Sequence, residues 1–231
     1  HTPAYAMLRS LVGSEMCIRD SILAKLNIEV LESSQGQCCG ALDQHLAASS
    51  DAMKKVKQNI DRWTHQLESG VDSIISSASG CGVMIKDYPK LFKSSDPYFQ
   101  KALFVSSKTE DIAEFLSSKD LSGLHLTELN VTYHEPCTMQ HGQQLGGLVE
   151  SILSQFGYTK KPVKDSHICC GSAGTYSIFE TKISNQLRTN KIENINASKP
   201  NMIVTSNIGC LLHLQKGSSI PVKHWVELLD V

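Results

Sequence analysis

At 231 residues, with 41% hydrophobic and 19% charged, the chain can bury a substantial core, either as one large domain or as two of roughly 100 residues each. The formal net charge is −1 with no long block of like charge, which argues against a nucleic-acid surface or a polybasic membrane patch. No stretch reaches the ~18–20 apolar residues that a membrane-spanning helix needs, so membrane association is expected only through a partner.

In chain order, residues 1–21 show no clear period. The run Leu11-Val-Gly-Ser-Glu-Met-Cys-Ile-Arg-Asp-Ser21 looks like a translated sequencing-library linker, so the segment is set aside from fold reasoning and Cys17 carries no weight as a ligand. A short strand is expected at Ile28–Leu31, before Cys38-Cys-Gly-Ala-Leu. Leu42, Leu46, Met53, Val56, Ile60, Trp63 and Leu67 then recur at helical spacing apart from one gap. A strand at Val71–Ser76 leads to Cys81, and residues 117–130 read as a connector. Beyond it come strands at Val131–Tyr133, Pro162–Lys164 and Met202–Ser206. A helical stripe of Tyr176, Phe179, Ile183 and Leu187 lies between the last two. Continuous apolar strands between helices suit a mostly parallel sheet covered on both faces.

The chain repeats itself. Cys38-Cys-Gly and Cys169-Cys-Gly are each followed by a long helical segment and a later cysteine. That cysteine comes 42 positions after Cys39 in one half and 40 after Cys170 in the other. Each half closes on a similar phrase, Ile112-Ala-Glu-Phe-Leu116 and Trp225-Val-Glu-Leu-Leu229. The expected organisation is α/β: two tandem pseudo-repeated modules, each a small mostly parallel sheet flanked by helices. Residues 22–127 form the first, incomplete at its N-terminus, and residues 128–231 the second.

Cysteines on loops after the strands of such a sheet converge at one edge. Cys137, Cys169, Cys170 and Cys210 give the second module four thiols, enough for a [4Fe–4S] cluster or for a tetrahedral zinc. The wide gap between Cys137 and Cys169 and the directly adjacent pair favour iron–sulfur over zinc, which prefers close C-x-x-C pairs. A disulfide framework fits poorly, because neighbouring cysteines bridge only with strain. The first module offers only Cys38, Cys39 and Cys81. The counterpart of Cys137 is expected about 31 residues before Cys38, upstream of position 7, which leaves an incomplete first site. Gly40, Gly171, Gly174 and Gly209 are expected to give tight turns and N–H groups facing sulfur. His134 and His213 are candidates to ligate, to hydrogen-bond or to pack near the site, with His141 and His167 also within reach of it. His45 and His65 read as surface residues.

Cys38-Cys-Gly-Ala-Leu, Tyr133-His-Glu-Pro-Cys137, Cys169-Cys-Gly-Ser-Ala-Gly-Thr-Tyr176 and Ser206-Asn-Ile-Gly-Cys-Leu-Leu212 resemble the CCG modules of glycolate oxidase iron–sulfur subunits. The cysteine-rich subunit of heterodisulfide reductase, lactate-utilisation proteins and an anaerobic glycerol-3-phosphate dehydrogenase subunit carry similar modules. The resemblance implies a subunit that is not catalytic by itself. It would pass electrons from flavoprotein dehydrogenase subunits, which oxidise glycolate, toward a quinone or other membrane electron acceptor. A cytoplasmic location follows, peripheral at the inner membrane through partners, with no nucleic acid and no transmembrane segment. The family's two-cluster ferredoxin run, C-x-x-C-x-x-C-x-x-x-C-P, does not occur here. The heterodisulfide reductase C-x-x-C phrase is replaced by Cys81-Gly-Val-Met84 and Cys210-Leu-Leu-His213, which argues against a five-cysteine cluster. Two other readings stand beside electron transfer: a zinc-stabilised docking module and a thiol–disulfide redox subunit working through Cys169–Cys170. No flavin or nicotinamide fingerprint is present.

Overall fold

The computed structural model describes residues 4–9, 14–32, 38–128 and 130–230; for residues 4–9, 14–17, 32 and 230 it describes the backbone alone. Strand β1 (Ala4–Arg9), helix α1 (Ser14–Lys25) and strand β2 (Ile28–Glu32) open the fold. The short helix α2 (Ala41–His45) and the long α3 (Ser49–Glu68) follow Cys38–Gly40. Strand β3 (Ser73–Ser76) runs into α4 (Ser79–Lys86), then α5 (Pro97–Ser107), β4 (Thr109–Asp111) and α6 (Ile112–Ser117). These strands form a wholly parallel sheet in the order β2-β1-β3-β4. The segment set aside from the fold reasoning thus supplies one of its two inner strands.

The second module follows β5 (His125–Leu126). It comprises β6 (Val131–His134), a π-helical turn at Thr138–Gly142, α7 (Leu148–Ser154), α8 (Tyr176–Phe179), α9 (Thr181–Asn196), β7 (Met202–Thr205), α10 (Ile208–Gln215) and β8 (Val222–His224). A 3-10 turn, Trp225–Leu228, and β9 (Leu229–Asp230) end the described chain. Strands β6, β7 and β8 form a parallel sheet in that order, while β9 pairs antiparallel with β5. The protein is therefore α/β, with two cysteine-rich modules in tandem, each built on a small parallel sheet.

Side chains alternate across a strand, and the two inner strands use this in the same way. Ile74 on β3 enters an outer core with Val56, Ile60 and Trp63 of α3, while its neighbour Ile75 enters a central core. Likewise Ile203 on β7 packs into an outer core with Ile192 and Ile195 of α9, while Val204 turns to the centre. The central core is common to both modules, joining Ile22, Ile112 and Leu116 to Tyr133, Ile152, Val204 and Trp225. Both modules close with the same cap. Asp111 caps α6 and pairs reciprocally with Glu114, and His224 caps the 3-10 turn and pairs with Glu227.

Three expectations are corrected. Pro162–Lys164 is not a strand; Pro162 lacks the N–H that a ladder requires, and among the described residues the second sheet has no counterpart of β2. In the first module Val56, Ile60, Trp63 and Leu67 are buried, but Leu42 and Leu46 are about half exposed. Ala47, with a left-handed φ of 60°, breaks the helix between α2 and α3 and resets its phase. The second-module stripe is no stripe: Phe179 and Ile183 face solvent. A break at Glu180 separates α8 from α9, and α9 buries Ser184, Lys191, Ile192 and Ile195 instead.

Candidate metal centre

The second site is assembled from two strand-to-helix connections, after β6 and β7, and the long loop between α7 and α8. Cys137 lies three residues beyond the end of β6, and Cys169–Cys170 sit in the loop before α8. Cys210 occupies the first turn of α10, whose cap Asn207 accepts from Gly209 N–H at 2.8 Å. Cys170 is buried, while Cys137, Cys169 and Cys210 are partly exposed. The thiols form a connected chain: Cys137 and Cys170 both contact Cys169, Cys170 also contacts Cys210, and His134 reaches Cys210. The donor atoms of His134, Cys170 and Cys210 lie within 4.8 Å of one another.

That crowding redistributes protons. Hydrogen bonds from Cys137 and Cys170 hold the Cys169 thiol well below its ordinary value. The Cys170 contact, with His134 beside it, lowers Cys210 against the pull of burial. Cys137 and Cys170, as the donors, are pushed up. Full deprotonation of so compact a set of thiols needs a cation to hold the charges together. The buried His134 Nε2 has no hydrogen-bond partner among the described residues. A soft, sulfur-rich donor set beside an imidazole fits an iron–sulfur cluster or a zinc ion.

The turn around Cys169 depends on Gly171. Its φ is +93°, and a Cβ there would stand 2.4 Å from Ser184 O. Gly171 N–H donates to Cys169 Sγ at 3.3 Å. Behind it, the Ser184 hydroxyl donates to Gly171 O at 2.7 Å and meets His213 Nε2 at 3.2 Å. His213 therefore props the turn through Ser184. Gly209 spends its N–H on Asn207 rather than on sulfur, and Gly174 packs near Leu42 of the first module. His45, His65, His141 and His167 are exposed.

The first module builds the same turn with fewer thiols. Gly40, at φ +86°, donates to Cys38 Sγ at 3.5 Å, and Cys39 Sγ lies 3.3 Å from Cys81 Sγ. Asn59 Nδ2 donates to Cys38 O, and the Tyr88 hydroxyl donates to Cys39 O. Arg9 faces Ser76 across β1–β3 as His134 faces Thr205 across β6–β7, so Arg9 holds the place of His134. By this register the counterpart of Cys137, expected upstream of position 7, would come after Arg9, among residues outside the described ones, as is the Cys17 side chain. The two sites are neighbours: Ser79 Oγ, at the start of α4, meets Thr138 Oγ1 at 2.7 Å and accepts from Asn207 Nδ2 at 3.1 Å.

Sequence reasoning missed Asn59, Tyr88 and Ser184. Asn59 and Ser184 interrupt buried helical faces, which is the available signal for such props.

The cysteine-rich domain model, CCG, matches residues 17–86 and 131–215, covering both cysteine sets. The chain belongs to the CCG cysteine-rich domain family. This CCG protein is 40% identical to the glycolate oxidase iron–sulfur subunit of Escherichia coli (strain K12), over 90% of this chain and 52% of that one. It is 28% identical to the probable glycolate oxidase iron–sulfur subunit of Bacillus subtilis (strain 168), over 85% of this chain and 44% of that one. The chain thus spans about half the length of these two relatives. Lactate utilization protein A of Oceanobacillus iheyensis is 26% identical over 93% of each chain. Among solved structures, an Asp/Glu racemase from Yersinia pestis aligns over 98% of this chain and 95% of its own, at TM-score 0.42 and 11% identity. That is too slight a likeness to carry an argument. Among the described residues, no helix is long and apolar enough to cross a membrane.

Proposed function

We propose that this chain is an iron–sulfur electron-transfer subunit of a flavin-dependent 2-hydroxy-acid dehydrogenase. It takes electrons from a flavoprotein partner and hands them toward a quinone, working peripherally at a membrane through that partner. The observation that carries this reading is the convergence of Cys137, Cys169, Cys170 and Cys210 beside His134. The relatives named for glycolate oxidase and lactate utilization support a 2-hydroxy acid as the partner's substrate.

Cys137, Cys169, Cys170 and Cys210 would hold a [4Fe–4S] cluster, which supplies one-electron transfer when bound. Around it, this chain's own groups set the conditions. Gly171 N–H stabilises the Cys169 thiolate, and Ser184 with His213 fixes the turn that carries it. Cys210 stands in the first turn of α10, at the positive end of that helix's dipole. His134 contributes a hydrogen-bonding nitrogen beside Cys210. Among the described side chains the first module offers three thiols, those of Cys38, Cys39 and Cys81.

The test is iron, zinc and acid-labile sulfide in anaerobically purified protein, with its visible spectrum. About four iron and four sulfide per chain, lost in Cys170→Ala, is the expected result. Zinc near one per chain without sulfide overturns it in favour of a structural docking module.

A further inference from the structure

Lys191 is buried on α9, at 2% exposure. Its Nζ donates to Asp165 O at 2.8 Å and to Ser166 O at 3.0 Å, on the turn that leads into Cys169–Cys170. Among the described residues it takes part in no ion pair. An ammonium withdrawn from water costs several kcal/mol unless an anion compensates it, and two carbonyl dipoles do so only in part. Burial, the largest influence, pushes the Lys191 ammonium below its ordinary value, and Cys170, Cys137, Cys169 and Asp165 act in the opposite direction. Lys191 and His134 also line one cavity of about 200 Å³, together with Glu135, Glu150, Lys160 and Lys161, so the lysine shares a wall with the histidine beside Cys210. The first module makes the contrast: the face that α3 buries contains Asn59 and Ile60 but no cation.

We propose that Lys191 is the positioning and charge-compensating residue of the second cysteine site. Its ammonium offsets the negative charge of a cluster held by Cys137, Cys169, Cys170 and Cys210, and it pins the 165–166 turn. The inference rests on reading that site as an iron–sulfur centre. Four thiolates outweigh the positive charge of an iron–sulfide core, and each electron taken up adds a further negative charge. A fixed cation nearby therefore favours the reduced form.

The experiment compares wild type, Lys191→Gln and Lys191→Arg as full chains purified anaerobically, measuring iron and sulfide content and then the midpoint potential by redox titration. Glutamine keeps N–H donors for the two carbonyls and removes the charge; arginine keeps both. Lys191→Gln is expected to lower the reduced-to-oxidised ratio at a fixed ambient potential about tenfold, a fall of about 59 mV for one electron. Lys191→Arg is expected to stay near wild type. Loss of the cluster in the glutamine variant alone also supports the proposal. Equal loss in both variants, or an unchanged midpoint in Lys191→Gln with full cluster content, overturns it. Absence of iron and sulfide from wild type would instead overturn the reading of the site itself.

Discussion

The two modules share a turn, and among the described residues they differ in the side chains gathered around it. Each holds its Cys-Cys-Gly in a left-handed glycine, each lets that glycine's N–H bond back to the first cysteine, and each packs a long helix behind it. Around the first turn stand three cysteines propped by Asn59 and Tyr88. Around the second stand four cysteines, His134, and a buried lysine. The shared geometry is backbone geometry, while the chemistry is set by which side chains the flanking elements bring to it. Among the described residues, one shared turn thus carries three thiols in one copy and four in the other.

The largest separation between the modules is expected in metal binding. Cys170→Ser should abolish iron uptake, whereas Cys39→Ser should leave iron per chain unchanged, as read by colorimetric iron and sulfide analysis.

Next come the two glycines. Gly171→Ala forces a side chain into left-handed φ and against Ser184 O, and should cost about 3 kcal/mol or more. Gly40→Ala meets Ala52 O at 3.3 Å and should cost about 1–2 kcal/mol. Urea unfolding of the two variants measures the difference.

The helices behind the turns should differ as sharply. Ile60→Ala on α3 empties a fully buried site and should cost about 2–5 kcal/mol. Ile183→Ala on the exposed face of α9 should change stability by no more than about 0.5 kcal/mol.

The closing caps give a pH contrast. Burial raises Asp111 to about 6, against the hydrogen bonds from Ala113 N–H and Gln143, with Glu114 and Lys86 nearby. Its contribution to stability is full below pH 3.8 and is lost as pH rises through 6. Burial lowers His224 to about 4, so its contribution is full above pH 6.5 and is lost as pH falls toward 4. Between pH 4 and 6 the two oppose each other, each by about 2–3 kcal/mol. Asp111→Asn should therefore leave stability rising steeply from pH 4 to 6.5, where wild type stays nearly flat. Chemical unfolding across that range checks it.

Much of this arrangement was legible in the residues. β3 shows as the pair Ile74–Ile75 and β7 as the run Met202–Val204, and Cys81 and Cys210 mark the first turns of the helices that follow them. β4 and β8 were not legible: Thr-Glu-Asp and Val-Lys-His are too short and polar to show a period, and only pairing with β3 and β7 makes them strands. The false stripes at Leu42–Leu46 and at Phe179–Ile183 arise because spacing alone does not register a helix break at Ala47 or Glu180. Lys191 escaped notice because a lysine in a polar helix reads as solvated, and only the position of two carbonyls reveals otherwise.

The ribbon of β5 with β9 sets where the second module begins and ends. Thr127 N–H reaches Leu228 O across about a hundred residues, so the chain entering that module and the chain leaving it lie side by side. The module is thus a closed loop of chain fastened at its own neck.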